Sequence, residues 1–232
     1  EDLIPPRRLV LSEGVDLPGG DLAKIFDTTL DACERACLAN AQCDAFTFNG
    51  RNGSCFPKSG PGAGAPYQGA WSGHVLTADP AAVAAAQARR AELTFVGDWE
   101  ISNIRAVAET LANEHVTSGW TVPDLIDSAN QAESQGDLLG ASRFVGAALN
   151  VTDSAEGWAD YARLLLAAGQ TNDPNARALR ERAYFAAVNA YLRADKPALR
   201  HTILVTMADV LERNGRGRDM VQALRLAQSL QD

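Results

Sequence analysis

No cysteine occurs beyond position 55: Cys33, Cys37, Cys43 and Cys55 crowd into one short stretch near the start of the 232-residue chain. No uninterrupted apolar run approaches the roughly 20 residues that a membrane-spanning helix needs, so no span of that kind is expected. Positive charge is also scarce. The net charge is −8 and there is no basic tract, which removes the phosphate neutralisation on which nucleic-acid binding depends. Two local clusters, Arg177, Arg180 and Arg182, and then Arg213, Arg216 and Arg218, read as a solvated helix face and a loop. An initiator Met and a signal-like start are missing as well. The chain opens Glu1-Asp2-Leu3-Ile4-Pro5-Pro6, and an export signal is expected to have been removed or left out.

Catalytic patterns are absent in the same way. His74, His115 and His201 are scattered, and none stands in a paired-ligand spacing. There is no P-loop. Gly60-x-Gly62-x-Gly64 neither follows a suitable strand nor opens a helix, and reads as a loop. Once all four cysteines are bridged, no thiol remains for nucleophilic work. Polar residues around Trp158–Tyr161 and Glu181–Tyr184 read as ordinary surface. Asn150-Val151-Thr152 fits the glycosylation triplet, which chance supplies as easily as design. The expectation is a chain without enzymatic activity, cofactor or metal.

What is present begins with the cysteine-bearing stretch. An even count in a small, Gly-rich, turn-rich segment has the form of a disulfide framework, and such bridges persist in oxidising compartments. The protein is therefore expected in the cell envelope, periplasmic or extracellular. Four thiolates also suit a closed zinc site. Zinc modules, however, present cysteines as two close pairs on knuckles, whereas here Cys33 and Cys37 share a helix and Cys43 and Cys55 sit on flanking strands. Disulfides are the preferred reading. Spacing leaves three pairings, of which the one joining Cys33 to Cys37 is disfavoured because residues one helical turn apart orient their Cβ vectors poorly for closure. Each bridge contributes about 2–4 kcal/mol, a large share for a small module.

Around the cysteines, Leu9–Leu11 reads as a strand and Pro18-Gly19-Gly20 as a turn. A helix follows from Thr28-Thr29 through Leu38, with Leu30, Cys33, Cys37 and Leu38 on one face. Cys43–Phe48 alternates with period two, which puts Phe46 and Phe48 on one strand face. Asn49–Gly53 forms a hairpin turn, Ser54-Cys55-Phe56 begins the return strand, and Tyr67–Val75 forms a last one. Phe46, Phe48 and Phe56 are read as small-core packing in preference to a binding groove. The sum is one helix on a small antiparallel sheet.

Composition changes at Pro80, which opens an alanine-rich helix at the position where a missing N–H costs nothing. Asp98 reads as the cap of a helix running through Ile101, Ile104, Val107 and Leu111. After Pro123 come paired helices. Ala129 and Ala141 flank a turn at Gln135-Gly136-Asp137, with Ala148 one step further. Trp158, Ala162 and Leu165 precede a longer turn from Gly169 to Pro174, and Ala183, Ala187 and Ala190 follow it. Leu204, Ala208 and Leu211 precede Asn214-Gly215-Arg216-Gly217, with Ala223 and Ala227 beyond. Self-similar hairpins of this kind suggest a helical repeat, and such stacks commonly offer a concave surface to extended peptides.

These residues carry resemblances. Cys-x3-Cys on a helix, Cys-x-x-Phe-x-Phe on the next strand and Cys-Phe-x-Lys on the return strand resemble a PAN/apple domain over about residues 9 to 76. The resemblance implies the pairs Cys33–Cys55 and Cys37–Cys43; fuller apple domains carry an additional pair that is missing here. The small residues at helix crossings, the Trp and the turn glycines are similar to tetratricopeptide repeats. The whole arrangement, with Asp2-Leu3-Ile4-Pro5-x-Arg7-Arg8, Phe26-Asp27-Thr28-Thr29, Ala36-Cys37-Leu38-Ala39, Ala45-Phe46-Thr47-Phe48-Asn49 and Cys55-Phe56-Pro57-Lys58-Ser59, resembles the N-terminal region of exported bacterial alpha-2-macroglobulin-family proteins. Those act as protease traps, in some members through a Cys-Gly-Glu-Gln thioester that this chain does not contain.

The fold class expected is therefore an α+β disulfide-stapled PAN/apple module followed by an all-α, TPR-like helical-hairpin array. The boundaries are 1–78 for the apple module, 79–121 for connecting helices and 122–232 for the repeats. The expected function is non-catalytic: protein or glycan binding by the apple module or the concave helical face, as a fragment of a larger protease-trapping chain. Its binding residues are not specified by the sequence. The alternatives are a structural spacer and a stand-alone envelope adaptor.

Overall fold

The computed structural model describes residues 3–114, 120–170 and 174–231. His115 and residues 171–173 of the expected long turn lie outside the described residues. Contacts divide the chain into two compact units, one built around Arg7–Ala78 and the other taking in the helices beyond it, with residues 3–6 grouped with the helices.

The first unit is a four-stranded antiparallel sheet, β1 (Arg7–Asp16), β2 (Ala45–Asn49), β3 (Ser54–Lys58) and β4 (Ala65–Thr77), in the order β1-β4-β2-β3. Helix α1 (Leu30–Ala39) packs on one face of it. Strands β1 and β4 run well past the apolar stretches that mark them in the sequence. Their ladder extends from Arg7↔Thr77 to Asp16↔Ala65, because backbone pairing continues under polar side chains. A bulge between Glu13 and Val15, with Gly14 at φ +73°, redirects the end of β1.

Helix α1 starts at Thr29, whose hydroxyl accepts the Ala32 N–H, the standard service of an N-cap threonine. Cys33 and Cys37 are fully buried, and Leu30 and Leu38 pack beside them against a core of Leu9, Leu11, Phe46 and Phe48. At the other end of the helix, Arg7 donates to the carbonyls of Leu38, Asn40 and Cys43. That places a cation at the negative end of the helix dipole and occupies carbonyls left over where the helix stops. The segment between β1 and α1 lies along the outer edge of β3. Leu22 N–H donates to Pro57 O at 2.8 Å and Ile25 N–H to Cys55 O at 2.9 Å, covering a strand edge that would otherwise be open.

The β2–β3 connection is a four-residue loop, 50–53, within the expected Asn49–Gly53 turn. Gly53, at φ +64°, donates to Asn49 O. The Asn49 side chain accepts the Arg51 N–H at 3.0 Å, an Asx turn that holds the loop.

The second unit contains α2 (Pro80–Glu92), α3 (Ile101–Glu114) and then α4 (Val122–Ser134), α5 (Leu138–Val151), α6 (Ala155–Ala168), α7 (Ala176–Arg193), α8 (Pro197–Arg213) and α9 (Gly217–Ser229). From α4 onward each helix packs against the next. The α4–α5 and α8–α9 turns use Gly136 and Gly215 in the left-handed region, at φ +81° and +73°. Ala129, Ala141, Ala148, Ala162, Ala183, Ala187, Ala190, Ala208, Ala223 and Ala227 are all buried, and their small side chains allow close helix approach. Asp79, Asp137 and Ser154 cap α2, α5 and α6 through their side chains. Thr121 and Asp124 form a reciprocal capping box on α4.

Three local expectations change. Asp98 does not cap α3. It opens a 3₁₀ turn, Asp98–Glu100, ahead of which the Gly97 N–H donates to the Glu100 carboxylate at 2.8 Å. Arg216 is not a solvated loop residue, because its guanidinium is held by the buried Glu100 carboxylate at 2.7 Å and by Asp219 at 2.7 Å. Asn150 is only 1% exposed and donates its amide to Leu111 O, so the acceptor side chain of the glycosylation triplet is packed away.

Candidate functional site

Cys33 bridges Cys55 and Cys37 bridges Cys43, the same two pairs that the apple pattern carries over. Both bridges tie α1 to its surroundings: one to β3, the other to Cys43, two residues ahead of β2. All four sulfurs are buried on the helix face of the sheet. Among the described residues there is no free cysteine and no cluster of His, Cys, Asp or Glu able to hold a metal ion. His74 lies exposed on β4, whereas His201 belongs to α8 in the other unit.

The three phenylalanines divide. Register pairs Phe46 with Pro57 and Phe48 with Cys55, whereas Phe56 pairs with Thr47. Side chains alternate between faces along a strand, so Phe46 and Phe48 point toward α1 and Phe56 points away from it. Phe46 and Phe48 belong to the core; Phe56 is half-buried on the opposite face. Period-two alternation in β2 was legible, but a one-residue offset across the hairpin decides which face Phe56 joins.

On that opposite face lies a cavity of about 190 Å³ lined by Asp16, Thr47, Asn49, Phe56, Tyr67 and Ala70. Ala70 and Thr47 are buried at its base. The Ser72 hydroxyl donates to Val15 O at 2.7 Å and so accepts from Thr47, 3.0 Å away, while Thr47 also accepts the Leu17 N–H at 3.0 Å. The base is thus polar and fully satisfied, which is why β2 is buried on both faces. The rim is different. Neither the Asp16 carboxylate nor the Tyr67 hydroxyl has a hydrogen-bond partner among the described residues, and the Asn49 amide nitrogen is similarly unengaged. Tyr67 is 45% exposed.

Two cations frame the aromatic rings. Arg51 lies 6.0 Å from the centre of the Tyr67 ring and Lys58 5.7 Å from that of Phe56. Gly69 makes room for the first: a Cβ there would come within 3.1 Å of the Arg51 Nε. Lys58 is buried and anchored to Asp21 and to Gly19 O. Asp16, Asn49 and Tyr67 escaped the sequence reading because they lie on three separate strands. The register Asp16↔Ala65 and Asn49↔Ala70 is what gathers them.

Among the described residues no helix is long and apolar enough to cross a membrane. No curated protein and no solved structure matches the chain. Residues 15–59 match the family model of the PAN domain, so the disulfide-bridged sheet unit is a PAN domain, a module that mediates protein or carbohydrate binding, followed by a helical region.

Proposed function

We propose that this chain is a non-catalytic interaction region of an exported protein, in which the PAN unit captures a partner at the cleft on its sheet face. The observation that carries this reading is the cleft's rim. The Asp16 carboxylate, the Tyr67 hydroxyl and the Asn49 amide nitrogen stand around a fixed base with no hydrogen-bond partner among the described residues, and four of the six lining residues fall within the matched span. Concave sites with a few convergent polar groups are where ligands bind. The two disulfides favour an extracellular or secreted setting, because such bridges persist under oxidising conditions.

The reading assigns the chain no reaction. At finer grain it takes the helical hairpins to be TPR-like and the whole to be the N-terminal region of a periplasmic, alpha-2-macroglobulin-type protease trap. The succession of a PAN unit and alanine-rich hairpins supports that assignment. Coding sequence downstream of Asp232 tests it: β-sandwich repeats with a Cys-Gly-Glu-Gln motif support the trap, and an immediate stop codon removes it.

Binding at the cleft is tested by retention of the purified chain on immobilised cell-envelope material. Wild type is retained and Tyr67→Ala is not. Equal retention of both would move the contact elsewhere, and no retention of either would leave a spacer.

A further inference from the structure

We infer that a groove among α6, α7 and α8 receives a lysine side chain of a partner protein, its aliphatic stem in an apolar slot and its ammonium beside Glu156 and Asp160. This surface belongs to the helical unit, and the inference stands or falls independently of the sheet-face cleft. Small residues make the slot. Ala162, Ala187 and Ile203 form its floor, each almost fully buried, and Ala159 and Leu199 add apolar wall. The cavity measures about 260 Å³. An engineered apolar cavity of roughly 150 Å³ takes up benzene, so a four-carbon stem fits.

The walls offer little to an anionic ligand. Thr202 and Thr206 line the α8 side, but their hydroxyls donate to Ala198 O and Thr202 O, each at 3.2 Å. Among the described residues Arg163 is the one cation lining the groove, and all three of its guanidinium nitrogens already donate. Two bonds go to Glu133, at 2.5 and 2.8 Å, and two to Asp160 Oδ1, at 2.9 and 2.6 Å. An incoming anion would have to displace one of those carboxylates.

Negative charge, by contrast, is left open. Glu156 is exposed and has no hydrogen-bond or ion-pair partner among the described residues. Both Arg163 bonds to Asp160 fall on Oδ1, which leaves Oδ2 to a ligand. The two carboxylates stand at i and i+4 on α6, where like charges are neighbours and repel. With Glu133, three carboxylates face one guanidinium. A cation at the mouth relieves that repulsion and an anion adds to it. Lysine suits the site better than arginine. Its ammonium is a compact charge with three rotatable donors, able to serve both carboxylates, whereas a guanidinium is a rigid fork matched to one.

The test is a ¹H–¹⁵N titration of the full chain with the peptide acetyl-Gly-Gly-Lys-Gly-Gly-amide. Counterparts carrying norleucine, glutamate or arginine at the central position are titrated in parallel. The lysine peptide is expected to move the amides of Glu156, Ala159, Asp160, Thr202 and Thr206 saturably. Norleucine keeps the stem without the charge and should bind about threefold more weakly, the scale of a solvent-exposed ion pair. The glutamate peptide should not bind. Glu156→Gln brings lysine and norleucine closer to equal while leaving the urea midpoint near that of wild type, because the side chain is exposed. Ala159→Leu fills the slot and weakens both peptides together. Absence of groove shifts with the lysine peptide overturns the inference. So does norleucine, glutamate or arginine binding as tightly as lysine, or an undiminished lysine preference in Glu156→Gln.

Discussion

The guanidinium of Arg216, on the turn before α9, meets the carboxylate of Glu100 at 2.7 Å, and the Glu100 side chain is only 1% exposed. The pair joins the start of α3 to the last hairpin across 116 residues of sequence. Arg216 also lies 4.9 Å from the centre of the Tyr184 ring. Removing one member of a buried pair strands the other charge, at a cost of about 3–5 kcal/mol. Arg216→Ala is expected to lower the urea midpoint accordingly. The double variant Glu100→Gln with Arg216→Met, which leaves no buried charge, should recover most of the loss.

The two disulfides close loops of different length, with sequence separations of 22 and 6. By chain entropy the longer loop contributes about 3 kcal/mol and the shorter about 2 kcal/mol. Replacing Cys33 and Cys55 by serine should therefore lower the stability of the sheet unit more than replacing Cys37 and Cys43. Thermal unfolding of the two double variants under non-reducing conditions measures the difference.

Gly73 on β4 sits beneath the Phe46 ring. A Cβ at this position would come within 2.4 Å of Phe46 Cε1 and 3.1 Å of Leu11 Cδ2. Gly73→Ala forces the core to shift and is expected to cost about 1–3 kcal/mol, in the range typical of overpacking. Gly217, at the start of α9, has nothing within 4 Å of the added carbon and no left-handed backbone. Gly217→Ala should be neutral or stabilising by up to about 1 kcal/mol.

Burial, aided by the neighbouring carboxylate of Asp31 and opposed by Arg35, raises the Glu34 pKa to about 7. The folded chain therefore holds this proton more tightly than the unfolded chain. Between the ordinary glutamate value of about 4.3 and about 7, rising pH removes stability that is fully present at lower pH. Glu34→Gln should flatten this part of the stability–pH curve and make the variant more stable than wild type at pH 8. A denaturation series at several pH values reads both effects.

Much of the sheet unit was legible because its signals are local. The Cys-x3-Cys spacing on a helix face and the alternation at Phe46 and Phe48 both act within a few residues, whereas the helix cap falls on Thr29, one residue beyond the Thr28–Asp31 spacing that suggests it. The helical hairpins were legible for the same reason, through buried alanines and turn glycines such as Gly136 and Gly215. What the sequence concealed depends on register and distant pairing. Phe56 changes face through one residue of offset against Thr47. Asp16, Asn49 and Tyr67 meet only because β1, β2 and β4 align in one particular ladder. Arg216 looked like a loop cation until Glu100, far away in sequence, supplied its partner.

The account turns on the sheet-face cleft as the place where this chain meets its partner. The direct measurement is the affinity of wild type, Tyr67→Ala and Val221→Lys for one purified partner or glycan recovered by retention. Val221 lies 40% exposed on α9, remote in sequence from the PAN unit. The account predicts that Tyr67→Ala weakens binding by about tenfold or more, or about 1.4 kcal/mol, while Val221→Lys binds as wild type does. Undiminished binding by Tyr67→Ala would contradict it.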